Sequence, residues 1–186
     1  MFDKSKVQRK FPWNETIDGR EITFRLMSGA DRKAVLAFTQ DLPEQNVIFL
    51  RMDITKPAMV AQWIDNIKRG YTITVLALDG KKVVGYASLH HNEALWMRHL
   101  GEVRFLVTPD FQKDGVLEQR LANEIFHIGK EMGLYRIVAQ IPTDQPRVQA
   151  ILEHLGFQAE ALLTEWLMTQ DGQLHDMLIM SYRIQE

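Results

Sequence analysis

Polar and apolar positions alternate through Glu21-Ile-Thr-Phe-Arg-Leu26, the period of a strand with one buried face. Ser28 is placed to cap a helix predicted over about 30–40 and ended by Pro43. A second helix is predicted near Pro57–Lys68, with Pro57 suited to a first turn and Gly70 to a C-terminal stop. Met59, Trp63, Ile64 and Ile67 form its apolar side. Tyr71–Leu78 and Lys82–His90 are rich in β-branched and aromatic residues, and Asp79-Gly80 between them predicts a tight hairpin. A third strand is expected at about Gly101–Val107, after the loop His91–Leu100. From about 115 to 132, Leu117, Leu121, Ile125, Ile128 and Met132 recur at spacings of three and four, so a long helix buries one face until Gly133 stops it. Tyr135–Ile141 reads as a strand, Gln145–Leu155 as a helix, and Phe157–Met168 and Leu174–Arg183 as a closing hairpin about Asp171-Gly172.

The order is β-α-α-β-β-β-α-β-α-β-β. A strand, a long helix and another strand imply a parallel crossover inside an otherwise antiparallel sheet, a mixed α/β (α+β) architecture. Residues 1–20 show neither period and read as an N-terminal arm ahead of one domain at 21–186. Lys4, Lys6, Arg9 and Lys10 precede Phe11, Pro12 and Trp13 there. They suggest either a basic contact patch or a tail packed on its own domain or on a second copy, which makes a homodimer plausible.

Composition narrows the function only by exclusion. The chain has 186 residues, 46% hydrophobic and 25% charged, and 22 basic side chains against 24 acidic ones give no global field for nucleic acid or an anionic membrane. No cysteine is present, which removes disulfides, thiol nucleophiles and cysteine metal sites. The basic N-terminus lacks the apolar stretch of a secretory signal, and no apolar run approaches the ~20 residues that span a bilayer. A soluble, cytoplasmic protein is expected.

The informative stretch is Gly101-Glu-Val-Arg-Phe-Leu-Val-Thr-Pro-Asp-Phe-Gln-Lys-Asp-Gly115-Val-Leu. A strand ends at Pro109, passes through a polar turn and enters a helix at Gly115. Such an entry leaves backbone N–H groups unpaired at the positive end of the helix dipole, an anion site suited to a diphosphate. Gly115 removes a Cβ from the cradle and Lys113 can add charge. Pro109 removes a ladder donor and is expected to help splay this strand from its parallel neighbour. Any helix entry can carry a glycine, so a purely structural role for Gln112–Gly115 is the plainer alternative. No P-loop or dinucleotide glycine pattern is present.

Val107-Thr-Pro109-Asp-Phe111-Gln112-Lys-Asp-Gly115-Val-Leu117 resembles the signature Val-x-Pro-x-(Tyr/Phe)-(Gln/Arg)-x-x-Gly-x-(Gly/Ala) of the GCN5-related N-acetyltransferase (GNAT) family. Gln145-Pro-Arg-Val-Gln-Ala-Ile-Leu152-Glu-His-Leu-Gly156-Phe157 is similar to that family's later Asn-(x)n-Tyr-Glu-Lys-Leu-Gly-Phe motif. The resemblance runs from Glu21 to Arg183. It implies a mixed, mostly antiparallel central sheet with helices on both faces, and acetyl-CoA as acyl donor. It also implies that main-chain groups of Gln112, Lys113, Asp114, Gly115, Val116 and Leu117 cradle the diphosphate, and that those of Leu106 and Val107 pair with the pantetheine arm. Gly156-Phe157 would turn the last helix back into the sheet. Two positions depart from the pattern: Leu117 replaces Gly/Ala, and Leu152 replaces the Tyr often used as a general acid.

Acetyl transfer to an amine requires a base, because an aliphatic amine with a pKa near ~10 is cationic at neutral pH. Glu102 is the first candidate, since strand alternation puts Glu102, Arg104 and Leu106 on one face. The competing reading of Glu102 and Arg104 is a same-face ion pair. His90 and His91 are the other candidates, with the right reference pKa. Being adjacent on a strand, only one of them can face a site. No metal site is expected, because His90 and His91 adjoin rather than meet at helical spacing and no HExxH is present. The function implied is an acetyl-CoA-dependent N-acetyltransferase acting on a small-molecule or peptide amine within a ternary complex. The alternative, motivated by Leu117 and Leu152, is a non-catalytic acyl-CoA-binding or regulatory module. Acceptor choice is expected to lie in segments 41–56 and 91–100, where Asp41, Glu44, Arg51 and Asp53 offer both charge signs.

Overall fold

The computed structural model describes residues 7, 8, 10–43, 50, 52–91, 95–169 and 171–184. Lys4, Lys6, Arg9, Glu44, Arg51 and the loop residues Asn92, Glu93 and Ala94 lie outside the described residues.

Eight strands form one sheet: β1 (Trp13–Ile17), β2 (Arg20–Leu26), β3 (Thr72–Asp79), β4 (Lys82–His91), β5 (Leu100–Val107), β6 (Arg136–Pro142), β7 (Gln158–Met168) and β8 (Leu174–Arg183). Among the described residues, four helices accompany them: α1 (Arg32–Gln40), α2 (Pro57–Lys68), α3 (Val116–Glu131) and α4 (Pro146–His154). The spatial order is β1-β2-β3-β4-β5-β6-β8-β7. Every neighbouring pair is antiparallel except β5–β6, which α3 connects. A parallel neighbour requires such a crossover, because a tight turn can only reverse the chain.

From Arg20 onward the elements follow the predicted order. The difference lies in the arm, where Trp13–Ile17 is a strand paired with β2, Trp13 lying opposite Phe24. Its exposure alternates, but the middle position of the sheltered face is Glu15, whose charge hides the period. Arg120 of α3 pairs with that carboxylate, and Trp13 stacks on Phe24 with ring centroids 4.3 Å apart.

The sheet is covered on both faces, so β3 and β4 are buried almost throughout and read as near-continuous apolar runs. On one face Ile73, Val75, Ala87, Leu89 and Val103 pack with Leu117, Leu121, Ile125 and Ile128 of α3. On the other, Leu76, Leu78, Val83 and Tyr86 pack with Val35 and Phe38 of α1 and Val60, Trp63, Ile64 and Ile67 of α2. Alternation along β5 therefore sends Val103 and Phe105 toward α3, and Leu106 toward α1 and α2. Gly85 of β4 makes the close approach of α3 possible, since a Cβ there would stand 2.8 Å from Val107 Cγ1 and 3.1 Å from Leu121 Cδ1. Among the described residues no helix is long and apolar enough to cross a membrane.

Candidate functional site

The parallel pairing of β5 and β6 covers only Leu100↔Arg136, Gly101↔Ile137 and Glu102↔Val138. Beyond these residues β6 stays with β8 as far as Pro142↔Met177, while β5 stays with β4 as far as Val107↔Gly85. The two central strands thus part company and leave a cleft of about 670 Å³ between them. Its walls include Val103–Val107, Ala139–Pro142, the first turn of α4 and Leu152. Pro109 does not cause the parting. It opens a short 3-10 turn (Pro109–Phe111) beyond the end of β5, well after the pairing has stopped at Glu102.

The backbone on the open side of β5 is set by the ladder on its other side. Thr108 N–H donates to Val84 O at 2.8 Å, so alternation turns the main-chain groups of Val107 and Phe105 away from β4 and into the cleft. Those of Leu106, predicted to line it, turn toward β4, although the residue still lines the wall. Gln112 reaches back from the turn, its side-chain amide donating to Val107 O at 3.1 Å.

At the end of this cleft α3 begins. Gly115, its N-cap, has φ +69° and offers no side chain to cap the helix. The first helical bond runs from Gln119 N–H to Gly115 O at 3.0 Å, so the N–H groups of Val116, Leu117 and Glu118 come before it. These donors and the dipole give this end a partial positive charge that suits an anion. Glycine is required by conformation more than by space, because a Cβ on Gly115 would meet Ile151 at 3.7 Å and Gln119 Nε2 at 3.9 Å, both ordinary contacts. Leu117 is fully buried in the α3 core, with its side chain directed away from the cradle. Lys113, Asp114 and Val116 are exposed around the turn.

The opposite face of β5 carries the titratable groups. Tyr86, Ser88 and His90 of β4 stand directly across from Leu106, Arg104 and Glu102. Thr72 Oγ1 and His90 Nδ1 are 3.0 Å apart, which orients the imidazole. Glu102 Oε1 accepts from Arg104 Nε at 3.0 Å and from its Nη2, so the anticipated same-face ion pair is present. Beneath them, Trp63 Nε1 donates to Thr74 Oγ1 at 3.0 Å, and Thr74 and Ser88 share a hydroxyl bond of 2.8 Å. Burial pushes the Tyr86 phenol up to about 12, a shift that the nearby Arg104 guanidinium only partly offsets. A second cavity of about 60 Å³ is walled by Trp63, Tyr86, Ser88, His90 and Arg104. Arg104 and Leu50 line both cavities, so the two adjoin.

Glu102 and His90 are therefore brought together and His91 is not. It points to the other face of β4, where its Nε2 lies 3.1 Å from Arg98 O. His127 and His154 are exposed. Three cleft residues escape a reading of the linear chain: Phe105, which strand alternation alone could have indicated, and the pair Arg147 and Glu118. Arg147, in the first turn of α4, pairs with Glu118 of α3 and donates to the main-chain carbonyl of Gln112. Only folding brings them together.

The family model described as "Acetyltransferase (GNAT) domain" matches residues 21–158. A Bacillus subtilis protein described as an uncharacterized N-acetyltransferase, YoaA, is 27% identical over 110 residues, 59% of this chain and 60% of that protein. The match thus spans about 60% of that relative's length. A ribosomal-protein-alanine N-acetyltransferase from Brucella melitensis superimposes with a TM-score of 0.76 at 23% identity, covering 87% of this chain and 99% of that one. A phosphinothricin acetyltransferase from Sinorhizobium meliloti, solved in complex with acetyl-CoA, gives 0.75 at 21% identity, with 88% of each chain covered. At these identities the two structures speak for the fold alone.

Proposed function

The chain belongs to the GNAT family of acetyltransferases, and from that premise we propose that it transfers the acetyl group of acetyl-CoA directly to a primary amine in a ternary complex. The observation that carries this reading is the cleft between β5 and β6, closed at one end by the uncapped start of α3. The N–H groups of residues 113–118 hold the diphosphate, and the outward main-chain groups of Phe105 and Val107 align the pantetheine arm as a pseudo-strand. An N–H of this same edge lies beside the thioester carbonyl and steadies the oxyanion as it forms.

The acceptor enters from the α1–α2 face, through the smaller cavity beside Arg104. Its ammonium first gives up a proton, directly or through water, to Glu102 or to His90 across the ladder. The amine nitrogen then attacks the thioester carbon, the C–S bond breaks, the coenzyme leaves as thiolate, and the surplus proton on the new amide nitrogen passes to water. No phenol at position 152 protonates it, because the residue there is Leu152, fully buried in the cleft wall. A thiol with a reference pKa near ~8.5 is a tolerable anionic leaving group, so the step proceeds without an acid.

Initial-rate kinetics with varied acetyl-CoA and a panel of small amines and peptide N-termini test the proposal. Intersecting double-reciprocal lines support direct transfer. Parallel lines indicate a covalent acetyl-enzyme, and thiol release at background with every amine indicates a binding module without catalysis.

A further inference from the structure

The cradle at the start of α3 contains a carboxylate, which an anion site should not welcome. Glu118 is the third residue of α3 and only 2% exposed, and it lines the cleft. One of its oxygens is buried with no hydrogen-bond partner among the described residues. Without a ligand the helix dipole favours a negative charge here. With a diphosphate beside it, the same charge would repel the ligand unless a cation stood between them.

Arg147 is that cation. It lines the cleft, pairs with the other oxygen of Glu118, and bonds the Gln112 carbonyl in the turn that leads into the helix. The second guanidinium in the cleft wall, Arg104, is already engaged by Glu102 on β5, and Asp144 at the rim is paired with His175. Lys113 is exposed beyond the wall.

We propose that Arg147 is a diphosphate ligand of coenzyme A, held ready by Glu118. A planar guanidinium presents two arms at once. On binding, one arm keeps its bond to Glu118 while the other moves from the Gln112 carbonyl to a phosphate oxygen. The released carbonyl sits on a half-buried residue within reach of water. Glu118 thus positions the arginine and reduces the loss of side-chain freedom on binding. The inference rests on the reading of the cleft as the acetyl-CoA site.

Calorimetric titration of the full chain with acetyl-CoA, and in parallel with acetyl-pantetheine, which keeps the thioester and arm but lacks the diphosphate, separates the possibilities. Arg147→Ala is expected to weaken acetyl-CoA about ten- to a hundredfold and to flatten its salt dependence, with acetyl-pantetheine unchanged. Arg147→Lys, which keeps the charge but not the two arms, should fall between, and serves if the alanine variant does not fold. Glu118→Gln, which gives up the ion pair that holds the guanidinium, should weaken acetyl-CoA by less than Arg147→Ala does, with acetyl-pantetheine unchanged. The proposal is overturned if a folded Arg147 variant binds acetyl-CoA like the parent, or loses both ligands equally. A parent protein that binds no acetyl-CoA would instead overturn the reading of the cleft.

Discussion

His90 and Glu102 face each other across the β4–β5 ladder, on the side of the sheet covered by α1 and α2. Neither needs to move a strand to share a water or an incoming ammonium. The partners of each are also fixed: Thr72 turns the imidazole and Arg104 turns the carboxylate. Two bases proposed for one proton therefore occupy one site, which makes their roles separable by substitution.

Glu102→Gln is expected to lower turnover by roughly 10²–10⁴-fold while acetyl-CoA affinity stays near that of the parent. His91→Ala, on the far face, should change turnover less than twofold. Steady-state rates across pH check both expectations. An unchanged pH–rate profile in the glutamine variant moves the base to His90.

Leu117 is where the chain departs from its family's Gly/Ala, and restoring the small residue should harm it. The side chain is fully buried among Leu121, Ile125 and the strands. Leu117→Ala is expected to cost about 2–5 kcal/mol through lost burial and a residual cavity. Urea unfolding measures this. Tighter acetyl-CoA binding without loss of stability would show that the leucine obstructs the cradle.

How much of this was legible in the chain depends on distance along it. The two hairpins and the α3 stripe are local patterns, and Asp79-Gly80 and Asp171-Gly172 mark turns whose glycines do adopt positive φ. β1 was illegible because its inward Glu15 is neutralised by Arg120, 105 residues away. The start of α3 was readable from Gly115, but the Arg147–Glu118 pair beside it was not, since the two lie 29 residues apart and only the fold brings them together. Nor was the true cause of the cleft visible. Pro109 stands just beyond β5, whereas the pairing ends at Glu102, on residues with no mark of their own.

Tyr86 supplies a test at alkaline pH. Its folded pKa is raised to about 12 by burial, against about 10 for an unfolded tyrosine. Its contribution to stability is therefore complete below pH ~10 and is lost as the pH rises toward 12. Absorbance at the phenolate band should show a late step toward pH 12, and Tyr86→Phe should remove it. An unchanged titration curve in the folded Tyr86→Phe variant above pH 10 would contradict the burial.

An acid-side counterpart lies at the start of α1. Burial disfavours the Asp31 carboxylate, but Arg25, at 2.9 and 2.6 Å, and the Ser28 N–H, at 2.7 Å, more than offset this and hold its pKa below the usual value. A depressed pKa stabilises the fold above the unfolded value near ~3.9, and this support disappears as pH falls through the folded one. Asp31→Asn should cost about 1–3 kcal/mol at pH 7 and less at pH 3, as followed by thermal melts. An equal cost at both pH values would show that the charge contributes nothing.

The central claim is that main-chain N–H groups at the start of α3 and along the free edge of β5 hold the coenzyme. Backbone amide spectra of isotope-labelled protein, recorded while acetyl-CoA is added, test it most directly. The largest shifts are predicted at 113–118, Phe105 and Val107, saturating together at one equivalent. Saturable shifts centred elsewhere, or a spectrum unmoved at millimolar ligand, would contradict the account.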